Sequence, residues 1–544
     1  MRFAFCQINT IVGDLKYNLE QIKKHSELAG KDKADLIIFP ELCLSGYPAE
    51  DLFLHQSFLG NCHSALKDLI KWSAKIKSAI IVGVPLHQKG KTYNCAVLIQ
   101  HGAILATVYK KNLPNYGVFD EQRVFASSDN QNIVKFKNLN LGIFICEDIW
   151  TDDVAKKLIS DGANLFIVIN CSPFDITKNR KRQEVTTKLV KKYKVPLLYI
   201  NQIGGQDDLV FDGGSFALDA DHNMVLPPQQ WQEGIYFINI KNGQLSTEFS
   251  TVQDSLDEVQ NIYQAVILGT RDYILKNNFK KVFLGASGGI DSALVAVIAA
   301  DAIGSKNVRL VRLPSQYSSN HSLKDAQILA QNLGATLATI PINTPFDCVL
   351  DALKQEFEGT KPDVTEENIQ ARIRGVLLMA LSNKYNELLL TTGNKSEYTC
   401  GYATLYGDMC GGFAPLKDVY KTMVYKLAKW RNANIPLTSK LQKTSVIPPR
   451  SISKPPSAEL KPGQLDQDTL PPYNQLDKIL FELIENDLSV SEVVSKGFPK
   501  ELVSYIARLV KINEYKRRQS ALGVKVSTRM VSKDRRYPVT SHFL

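Results

Sequence analysis

Several features that would assign the chain to a familiar class of protein are missing from its sequence. It has no run of about 18 apolar residues, so it predicts no membrane-spanning helix. Its first residues form a strand-like apolar stretch without a cleavage-site pattern, so we expect no signal peptide. It also has no block of about five like charges, and short basic runs such as Lys516-Arg517-Arg518 are typical of a solvated surface.

The cysteines form no recognisable framework. There are nine of them, an odd number, and they are scattered and never in C-x-x-C spacing. This pattern argues against a set of disulfides and against a zinc site, and it favours a reducing compartment, so we expect a cytoplasmic protein. Because no pairing accounts for the cysteines, at least one of them is a candidate for a working thiol.

Length and charge restrict the possible classes of protein only broadly. The 544 residues exceed a single hydrophobic core, so we expect two or three domains of roughly 150 residues each. A hydrophobic content of 44% and a charged content of 22% are ordinary for a globular protein. The formal net charge of +10 is modest and fits small anionic substrates as well as RNA.

Two successive alternations of strand and helix patterns divide the chain. In residues 1–205, apolar β-branched runs alternate with helix-like segments or hairpins, which predicts an α/β layer fold. A second alternation begins at the strand pattern KVFLGA and separates its strands by single helices, which predicts a parallel sheet. We place the domains at residues 1–245 and 259–544, with a linker at 246–258.

Individual elements of the second half can also be assigned. The pattern predicts helices at 291–303, 320–333 and 366–386, and a last strand in ELLLTTG. From residue 444 the chain is proline-rich and predicts no core element. A helical tail at 474–519 and a basic last segment finish the chain.

The stretch KKVFLGASGGIDSALVAVIAA has the layout of a phosphate-binding loop without its lysine. A strand pattern ends in the turn GASGGIDS, and a helix pattern follows. A glycine-rich turn at a helix N-terminus still binds phosphate oxygens, whereas transfer of a γ-phosphate uses the lysine. Such a loop suits a pyrophosphate that departs whole, with Asp291 able to hold Mg²⁺ on its oxygens. The chemistry favours AMP transfer over kinase action, with a plain strand–helix turn as the alternative.

Three side chains of complementary chemistry follow strand patterns of the first half. Glu41 follows ADLIIF, Lys110 follows a second strand, and Cys146 ends LGIFIC, so the three can converge on one carbonyl. Glu41 can take the thiol proton and return it to departing ammonia, and Lys110 can stabilise the oxyanion. No histidine lies near these stretches, which disfavours a Cys–His pair. Taken alone, a cysteine such as Cys146 on an apolar strand is more often a small core residue, and Cys171 is a second thiol at a strand end.

Taken together, these motifs resemble two known families. SGGIDS is similar to the pyrophosphate loop of the N-type ATP pyrophosphatases, and LLLTTGNKSEYTCGYATLYGDMCGGFAPLKDVYKT with TEENIQARIRG resembles the NAD synthetase pattern among them. P-E-L, K-x-x-L-P and C-E-D-x-W, in that order, resemble the nitrilase superfamily in its glutaminase form. The resemblance implies a nitrilase-like αββα sandwich followed by a doubly wound parallel sheet of the adenine nucleotide alpha hydrolase-like type.

The resemblance also implies roles for the matching positions. ATP would be bound by Gly285, Ala286, Ser287, Gly288, Gly289, Ile290, Asp291, Ser292 and Thr392. Deamido-NAD would be bound by Asn368, Glu397 and Lys516, and Mg²⁺ by Asp291 and Glu397. Catalysis in the first half would fall to Glu41, Lys110 and Cys146, and glutamine binding to Tyr116, Ser172 and Lys178. Glu121 would orient Lys110, and Tyr47 could line the same pocket.

The implied reaction is the ATP-dependent amidation of deamido-NAD to NAD, with ammonia released from glutamine. The resemblance implies Mg²⁺ as cofactor, a homo-oligomer, and neither a nucleic-acid nor a membrane partner. Two alternatives stay open at this point. The first half can be an inactive scaffold in an enzyme that uses free ammonia, or the second half can amidate another carboxylate or thiolate RNA. A tRNA-modifying enzyme would need a catalytic cysteine pair and an RNA-binding module, and neither is found in the sequence.

Overall fold

The computed structural model describes residues 1–249 and 256–542. Contacts within the chain divide it into two units, Met1–Ser255 and Leu256–Leu544. The predicted linker at 246–258 lies partly outside the described residues. Within those residues, every helix falls short of the length or the apolar character that a bilayer span requires.

The first unit contains two β-sheets and four α-helices among its described residues. Its strands are β1 (Arg2–Gln7), β2 (Leu36–Ile38), β3 (Ala79–Gln88), β4 (Lys91–Gln100), β5 (Ala103–Tyr109), β6 (Val134–Phe136), β7 (Leu139–Ile145), β8 (Leu165–Asn170), β9 (Leu197–Asn201), β10 (Ile203–Gln206), β11 (Leu209–Leu218), β12 (Met224–Gln230), β13 (Gly234–Lys241) and β14 (Gln244–Ser246). Its helices are α1 (Leu15–Lys31), α2 (Gln56–Ser73), α3 (Asp152–Ser160) and α4 (Lys178–Tyr193). The sheet orders are β14-β13-β1-β2-β3-β4-β5 and β10-β11-β9-β8-β7-β6, with β12 paired to β11.

Alternation of side chains along the strands separates the layers of this unit. Phe3 and Phe5 of β1 point between the two sheets, into the same core cluster as Ile143 of β7. Ala4, between them in sequence, faces the cluster formed with α1 and α2, because successive strand side chains point to opposite faces. Phe144 of β7 packs in the cluster formed with α3 and α4. The predicted αββα sandwich is therefore confirmed.

The strand directions bring several chain ends to corresponding edges of the two sheets. β1, β2 and β3 run parallel, and so do β7, β8 and β9. β5 runs in the same direction as β3, because both are antiparallel to β4. The segments that follow β2, β5 and β7 carry Glu41, Lys110 and Cys146 respectively.

The second unit is built on one parallel sheet. Its strands are β15 (Val282–Gly285), β16 (Val308–Arg312), β17 (Thr336–Thr339) and β18 (Leu388–Leu389). Its helices are α5 (Glu258–Lys276), α6 (Ile290–Ile303), α7 (Asn320–Leu333), α8 (Asn343–Leu353), α9 (Val364–Tyr385), α10 (Lys395–Cys400), α11 (Lys421–Ala433), α12 (Pro449–Ser453), α13 (Tyr473–Ile484), α14 (Val490–Ser495), α15 (Lys500–Ile512) and α16 (Glu514–Arg517). The strand order is β17-β16-β15-β18, with every pair parallel.

This order reverses at β15 and so places helices on both faces of the sheet. Right-handed crossovers put α6 and α7 on one face and the helices that lead to β18 on the other. Leu378 and Leu381 of α9 pack against Phe283 and Leu389 of the sheet. The predicted doubly wound sheet is therefore confirmed, and its ligand crevice is expected where the order reverses, between β15 and β18.

The last strand of the second unit is shorter than predicted. The strand predicted in ELLLTTG is only two residues long, because Leu390 makes an isolated bridge to Phe413 and the chain then turns away from the sheet. The predicted helical tail at 474–519 is present as four helices, α13, α14, α15 and α16, with Gly497 at φ +96° and Pro499 between α14 and α15. Glycine at positive φ and proline both end helices, so they separate α14 from α15.

The proline-rich stretch after residue 444 contributes to the core, contrary to prediction. Val446 and Ile447 are both buried. The Asn432 side chain accepts a hydrogen bond from the Ile447 N–H and donates one to the Ile447 carbonyl, each at 2.8 Å. Because one amide side chain satisfies this backbone, the segment can be buried without belonging to a helix or strand.

The basic last segment is also part of the core, and a buried lysine explains why. Lys395, at the start of α10, is fully buried. Its ammonium contacts Asp418 at 2.9 Å, Glu485, the Ser527 hydroxyl at 2.7 Å and the Arg529 carbonyl at 2.9 Å. The last two partners belong to the C-terminal segment, so this one ammonium ties that segment to α10.

Replacing Lys395 by methionine should destabilise the second unit by about 3–5 kcal/mol, because two buried carboxylates would lose their cation. Lys496→Met is the matched control, since Lys496 pairs with Glu482 at 2.6 Å but is largely exposed, and its loss should cost about 0–1 kcal/mol. Urea unfolding followed by circular dichroism measures both variants. Equal losses in the two variants would contradict the anchoring role of Lys395.

Candidate active sites

Four predicted residues of the first unit form one buried cluster around the ammonium of Lys110. Lys110 Nζ lies 2.7 Å from Glu41 Oε1 and 2.8 Å from Glu121 Oε2, and all three side chains are buried. The Tyr47 hydroxyl donates a hydrogen bond of 3.0 Å to Glu121 Oε1. Glu121 therefore contacts Lys110 as predicted, and Tyr47 reaches this group through Glu121.

The carboxylate of Glu41 is fixed by two further donors that sequence reasoning missed. The Asn94 side chain donates to Oε1 at 2.7 Å, and the Cys171 N–H donates to Oε2 at 2.9 Å. The Cys171 thiol itself donates to the Glu41 backbone carbonyl, so it supports Glu41 from behind. Gly83 of β3 lies so close to this segment that a Cβ would come within 2.2 Å of the Leu42 nitrogen, which only glycine permits.

Cys146 occupies a strained position directly after β7. It starts a 3₁₀ helix, Cys146–Ile149, with φ at +46°, in the left-handed region that side chains other than glycine rarely adopt. Such strain is found at functional sites, where the surroundings hold the residue in place. Burial raises the pKa of the thiol well above its usual value, the charge of Glu41 raises it further, and Lys110 opposes them. The thiol is therefore neutral and within electrostatic reach of both groups.

The cluster of Lys110, Glu41 and Glu121 has one positive and two negative groups. Burial raises the pKa of Glu121 to about 7, with Lys110 lowering it and Glu41 raising it. Burial alone would lower the pKa of Lys110, but the charges of Glu121 and Glu41 hold it well above its usual value. The ammonium therefore stays charged, and near neutral pH the cluster takes up one proton on a carboxylate.

The predicted glutamine-binding residues lie around this cluster at different depths. The Tyr116 ring is 54% exposed, and its hydroxyl donates to the Glu147 carboxylate at 3.0 Å. Ser172 is buried, and its hydroxyl accepts a hydrogen bond of 3.2 Å from Arg182. Glu147 and Arg182 were not predicted, although Glu147 stands in the C-E-D motif itself.

Lys178 is placed by an aromatic side chain from the same motif. Its Nζ lies 4.6 Å from the centre of the Trp150 ring, a cation–π contact. Burial and the charge of Arg182 lower the pKa of Lys178, while the Cys146 thiol acts in the opposite direction. Lys178 is therefore a partly buried cation within reach of the thiol.

A cleft of about 290 Å³ lies at the carboxyl ends of the strands of the second unit, where the strand order reverses. Most residues predicted to bind ATP line it: Gly285, Ala286, Ser287, Gly289, Ile290, Asp291, Ser292 and Thr392. Gly288 does not. At φ +82° it packs so tightly that a Cβ would come within 2.5 Å of the Ser322 carbonyl oxygen. Glycine is therefore required there by conformation and by space.

The loop ends at the N-terminus of α6, which opens into the cleft. Gly289 precedes the helix and supplies no side-chain cap, so the first N–H groups of α6 stay available to a ligand. The Ser287 hydroxyl accepts a hydrogen bond of 3.2 Å from the Gly289 N–H and lies 3.0 Å from the Ser292 hydroxyl. Free N–H groups and the helix dipole together favour an anion such as phosphate.

Asp291 and Glu397 are brought together by a lysine that sequence reasoning missed. The ammonium of Lys421, the first residue of α11, contacts Asp291 and lies 3.1 Å from Glu397 Oε1. Asn394 donates to Asp291 Oδ1 at 3.0 Å and accepts from the Glu397 N–H at 3.1 Å. Lys421 lies in DVYKT, so a search for the lysine missing from the loop could have found it.

The residues at this edge also fit a divalent cation. Burial raises the pKa of Glu397 to about 8; Lys421 opposes this, and Asp291 and Asp466 add to it. Three carboxylates around one ammonium thus leave surplus negative charge. Among the described residues, no three acidic, histidine or cysteine side chains are grouped to hold a metal by themselves. Mg²⁺ usually takes one or two carboxylates plus phosphate oxygens, which Asp291 and Glu397 could provide with a bound nucleotide.

Asn368 and Lys516 lie beside the cleft and are not part of its lining. Asn368 accepts a hydrogen bond of 2.8 Å from the Thr404 hydroxyl. The Lys516 ammonium donates to the Gly401 and Ala403 carbonyls, both at 2.8 Å. Both residues therefore hold the segment that follows α10. Ala403, which belongs to this segment, lines the cleft.

Comparison with known proteins agrees with this division. The family model for carbon-nitrogen hydrolases matches residues 2–247, and the model for NAD synthases matches residues 262–520. The fold and the two sites therefore define a protein in which a carbon-nitrogen hydrolase unit is joined to an NAD synthase unit.

Similarity to individual proteins extends over the whole chain. The glutamine-dependent NAD(+) synthetase of Acinetobacter baylyi is 43% identical over 99% of this chain and 98% of its own length. That of Thermotoga maritima is 41% identical over 100% of this chain and 99% of its own. The structure of the Acinetobacter baumannii glutamine-dependent NAD+ synthetase in complex with ADP superposes with a TM-score of 0.79 at 39% identity, covering 99% of this chain and 98% of that one. The chain belongs to the family of glutamine-dependent NAD(+) synthetases.

Proposed function

We propose that this protein makes NAD from deamido-NAD, ATP and glutamine, releasing AMP, pyrophosphate and glutamate. One observation carries this proposal: the same chain contains the residues that both half-reactions need. One unit has a thiol with a carboxylate and an ammonium, and the other has a glycine-rich turn with two carboxylates. Relatives that match both units are named for this activity. Assembly into a homo-oligomer stays a prediction of the resemblance.

In the first unit, Cys146 would be the nucleophile and Glu41 its base. The neutral thiol gives its proton to Glu41 as the sulfur attacks the carboxamide carbon of glutamine. The Lys110 ammonium stabilises the oxyanion, in a buried setting where its charge acts strongly. Glu41 then passes the proton to the departing ammonia, and water attacks the thioester to release glutamate.

In the second unit, the nicotinate carboxylate would attack the α-phosphorus of ATP and expel pyrophosphate. This gives an acyl adenylate, in which the attacking carboxylate oxygen is bonded to the phosphorus of AMP and can leave as part of AMP, whereas alone it is a poor leaving group. Ammonia then attacks the acyl carbon, forming NAD and releasing AMP. The α6 N-terminus, with Lys454 and Arg374 in the cleft wall, would bind the phosphates.

Asp291 and Glu397 are the residues that would hold Mg²⁺, together with phosphate oxygens. When bound, the ion would neutralise charge on the departing pyrophosphate. The Lys421 ammonium lies against both carboxylates and keeps them paired. The ADP in the A. baumannii structure supports a nucleotide site in this family.

Cys146→Ala should abolish glutamine-dependent NAD formation and leave ammonium-dependent formation unchanged within about twofold, because only the thioester step needs the thiol. Cys171→Ser is the matched control, since its hydroxyl can still donate to the Glu41 carbonyl, and it should keep glutamine-dependent activity. Each variant is assayed with glutamine and then with ammonium chloride. Glutamine-dependent activity that survives in Cys146→Ala would refute the assignment.

Asp291→Asn should reduce NAD formation from either nitrogen source by about 100-fold or more, because the amide is a poorer ligand for a cation. Its activity should also need a higher Mg²⁺ concentration. The rate of glutamine hydrolysis, measured as glutamate release, should not change. Asp351→Asn is the control, because Asp351 is an exposed residue of α8. An unchanged Mg²⁺ dependence would remove Asp291 from the metal site.

The glutaminase rate should rise with pH through about 7, because Glu121 loses its proton there and its carboxylate then shares the Lys110 ammonium with Glu41, which leaves Glu41 more available as base. In Glu121→Gln no carboxylate titrates at that position and Lys110 pairs with Glu41 alone, so the acidic limb near pH 7 should disappear while the rate at pH 8 falls by about tenfold. A pH profile of kcat/KM from glutamate release measures both effects. An acidic limb that stays in place would rule out Glu121 as the titrating group.

A further inference from the structure

A buried carboxylate stands two residues after the proposed nucleophile. Asp148 is only 1% exposed, yet no lysine or arginine pairs with it in the described residues. Its Oδ1 accepts hydrogen bonds from the backbone N–H groups of Lys111 at 3.1 Å and Asn112 at 2.8 Å. Its Oδ2 accepts one from the Ile145 N–H at 3.2 Å. One side chain thus satisfies three backbone donors.

Those three donors flank the proposed catalytic residues. Lys111 and Asn112 directly follow Lys110, and Ile145 directly precedes Cys146. Lys110 follows β5, at the edge of the first sheet, whereas Cys146 follows β7, in the second sheet. The two strands therefore share no sheet hydrogen bonds that could set the distance between ammonium and thiol. The Asp148 carboxylate bridges the two sheets at this point.

We propose that Asp148 is a positioning residue that fixes the Lys110 ammonium relative to the Cys146 thiol. The bond to Ile145 also closes the turn in which Cys146 is held at φ +46°. A residue that served only this turn would need the Ile145 N–H alone. The two donors from the other sheet add nothing to the turn, but they fix the segment that carries Lys110.

The electrostatics of Asp148 agree with this placement. Burial raises the pKa of Asp148 to about 7, and the Asn112 N–H and the charge of Lys110 act in the opposite direction. The carboxylate is therefore close enough to Lys110 to be stabilised by it, although Lys110 donates its hydrogen bonds to Glu41 and Glu121. Asp148 thus acts through the backbone.

The inference rests on the proposed glutaminase site, and Asp148→Asn tests it. An asparagine has one acceptor oxygen, and its NH₂ group would face an N–H donor, so one of the two sheets must lose its bond. A misplacement of about 1 Å can cost about 100-fold in rate, so we expect kcat for glutamate release to fall about 30- to 100-fold. KM for glutamine should change less than about threefold, because glutamine contacts other side chains.

Two further readouts separate positioning from general stability. Alkylation of Cys146 by iodoacetamide, followed by mass spectrometry, should slow in proportion to kcat. Ammonium-dependent NAD formation in the same preparation should stay within about twofold and so normalises for folded protein. Asp153→Asn is the matched control, since Asp153 contacts the same segment through the Lys111 side chain at 3.1 Å but at the surface, and it should leave all rates unchanged.

Three outcomes would overturn the proposal. They are a kcat within threefold of the wild type, a rise in KM alone, and a parallel loss of ammonium-dependent activity, which would assign Asp148 to stability. Cys146→Ala, assayed alongside, separates this inference from the proposed function. If that variant keeps glutamine-dependent activity, the site itself is misassigned, whereas an inert Asp148→Asn beside an inactive Cys146→Ala removes only the positioning role.

Discussion

A buried lysine ammonium shared by two carboxylates is the interaction on which both candidate sites depend. Lys110 lies between Glu41 and Glu121, and Lys421 lies between Asp291 and Glu397. Burying charges is costly unless they are paired, and two carboxylates exceed what one ammonium can neutralise. Each cluster therefore has more negative than positive groups, and burial raises the pKa values of Glu121 and Glu397 to about 7 and about 8.

A third cluster of this kind, around Lys395, behaves differently. At Lys395, the charges of Lys395 and Lys525 outweigh burial and hold the pKa of Asp418 below its usual value. At this third cluster Asp418 keeps its charge and the contacts hold the fold together, whereas each site cluster contains a carboxylate whose pKa lies near neutral and which can take up a proton.

The same charge arrangement explains how a thiol in this protein can be both reactive and protected. Cys146 is buried among carboxylates, so its pKa is high and the thiolate is rare in the free protein. Since the thiolate is the form that oxidants and alkylating reagents attack, a largely neutral thiol reacts slowly before substrate binds. A carboxamide placed over Lys110 would change this balance, because charge that forms on its oxygen is stabilised as the proton leaves for Glu41. In the proposed mechanism, activation therefore accompanies substrate binding. The backbone of Cys146 is already held in its left-handed conformation in the protein without substrate.

The sequence was most informative where chemistry coincides with strand ends. Glu41, Lys110 and Cys146 each follow a strand pattern, and parallel strands bring their ends together, so their convergence could be predicted without a structure. Lys421 could not be placed in the same way, because it begins a helix 130 residues after Asp291 and no local pattern links the two.

Partners distant in the chain account for the other misses. Asn94 sits inside an ordinary strand pattern, and nothing near it indicates that it faces Glu41. From the sequence, the last segment could be described only as basic, because the acids that bind it, Asp418 and Glu485, lie far away in the chain. The length of β18 was mispredicted for a related reason, since this strand is held by hydrogen bonds to its neighbour β15 and not by its own two residues. Local pattern therefore predicted the scaffold, and tertiary charge pairing was what it could not supply.

The position of Lys421 also bears on why the phosphate loop has no lysine of its own. A lysine within such a loop stays with the terminal phosphates and serves transfer of the γ-phosphate. Here the loop offers only N–H groups and hydroxyls, while the ammonium lies outside it, against Asp291 and Glu397. Under the proposed function, the fixed dipoles of the loop would bind a pyrophosphate without a cation in the loop itself, and the cations of the cleft wall, Lys454 and Arg374, lie outside the loop. Under the same proposal, the surplus negative charge at the carboxylates would favour a cation that binds together with the nucleotide. Placing the lysine beside the proposed metal ligands and not in the loop therefore leaves the loop without a cation of its own, which suits release of the whole pyrophosphate.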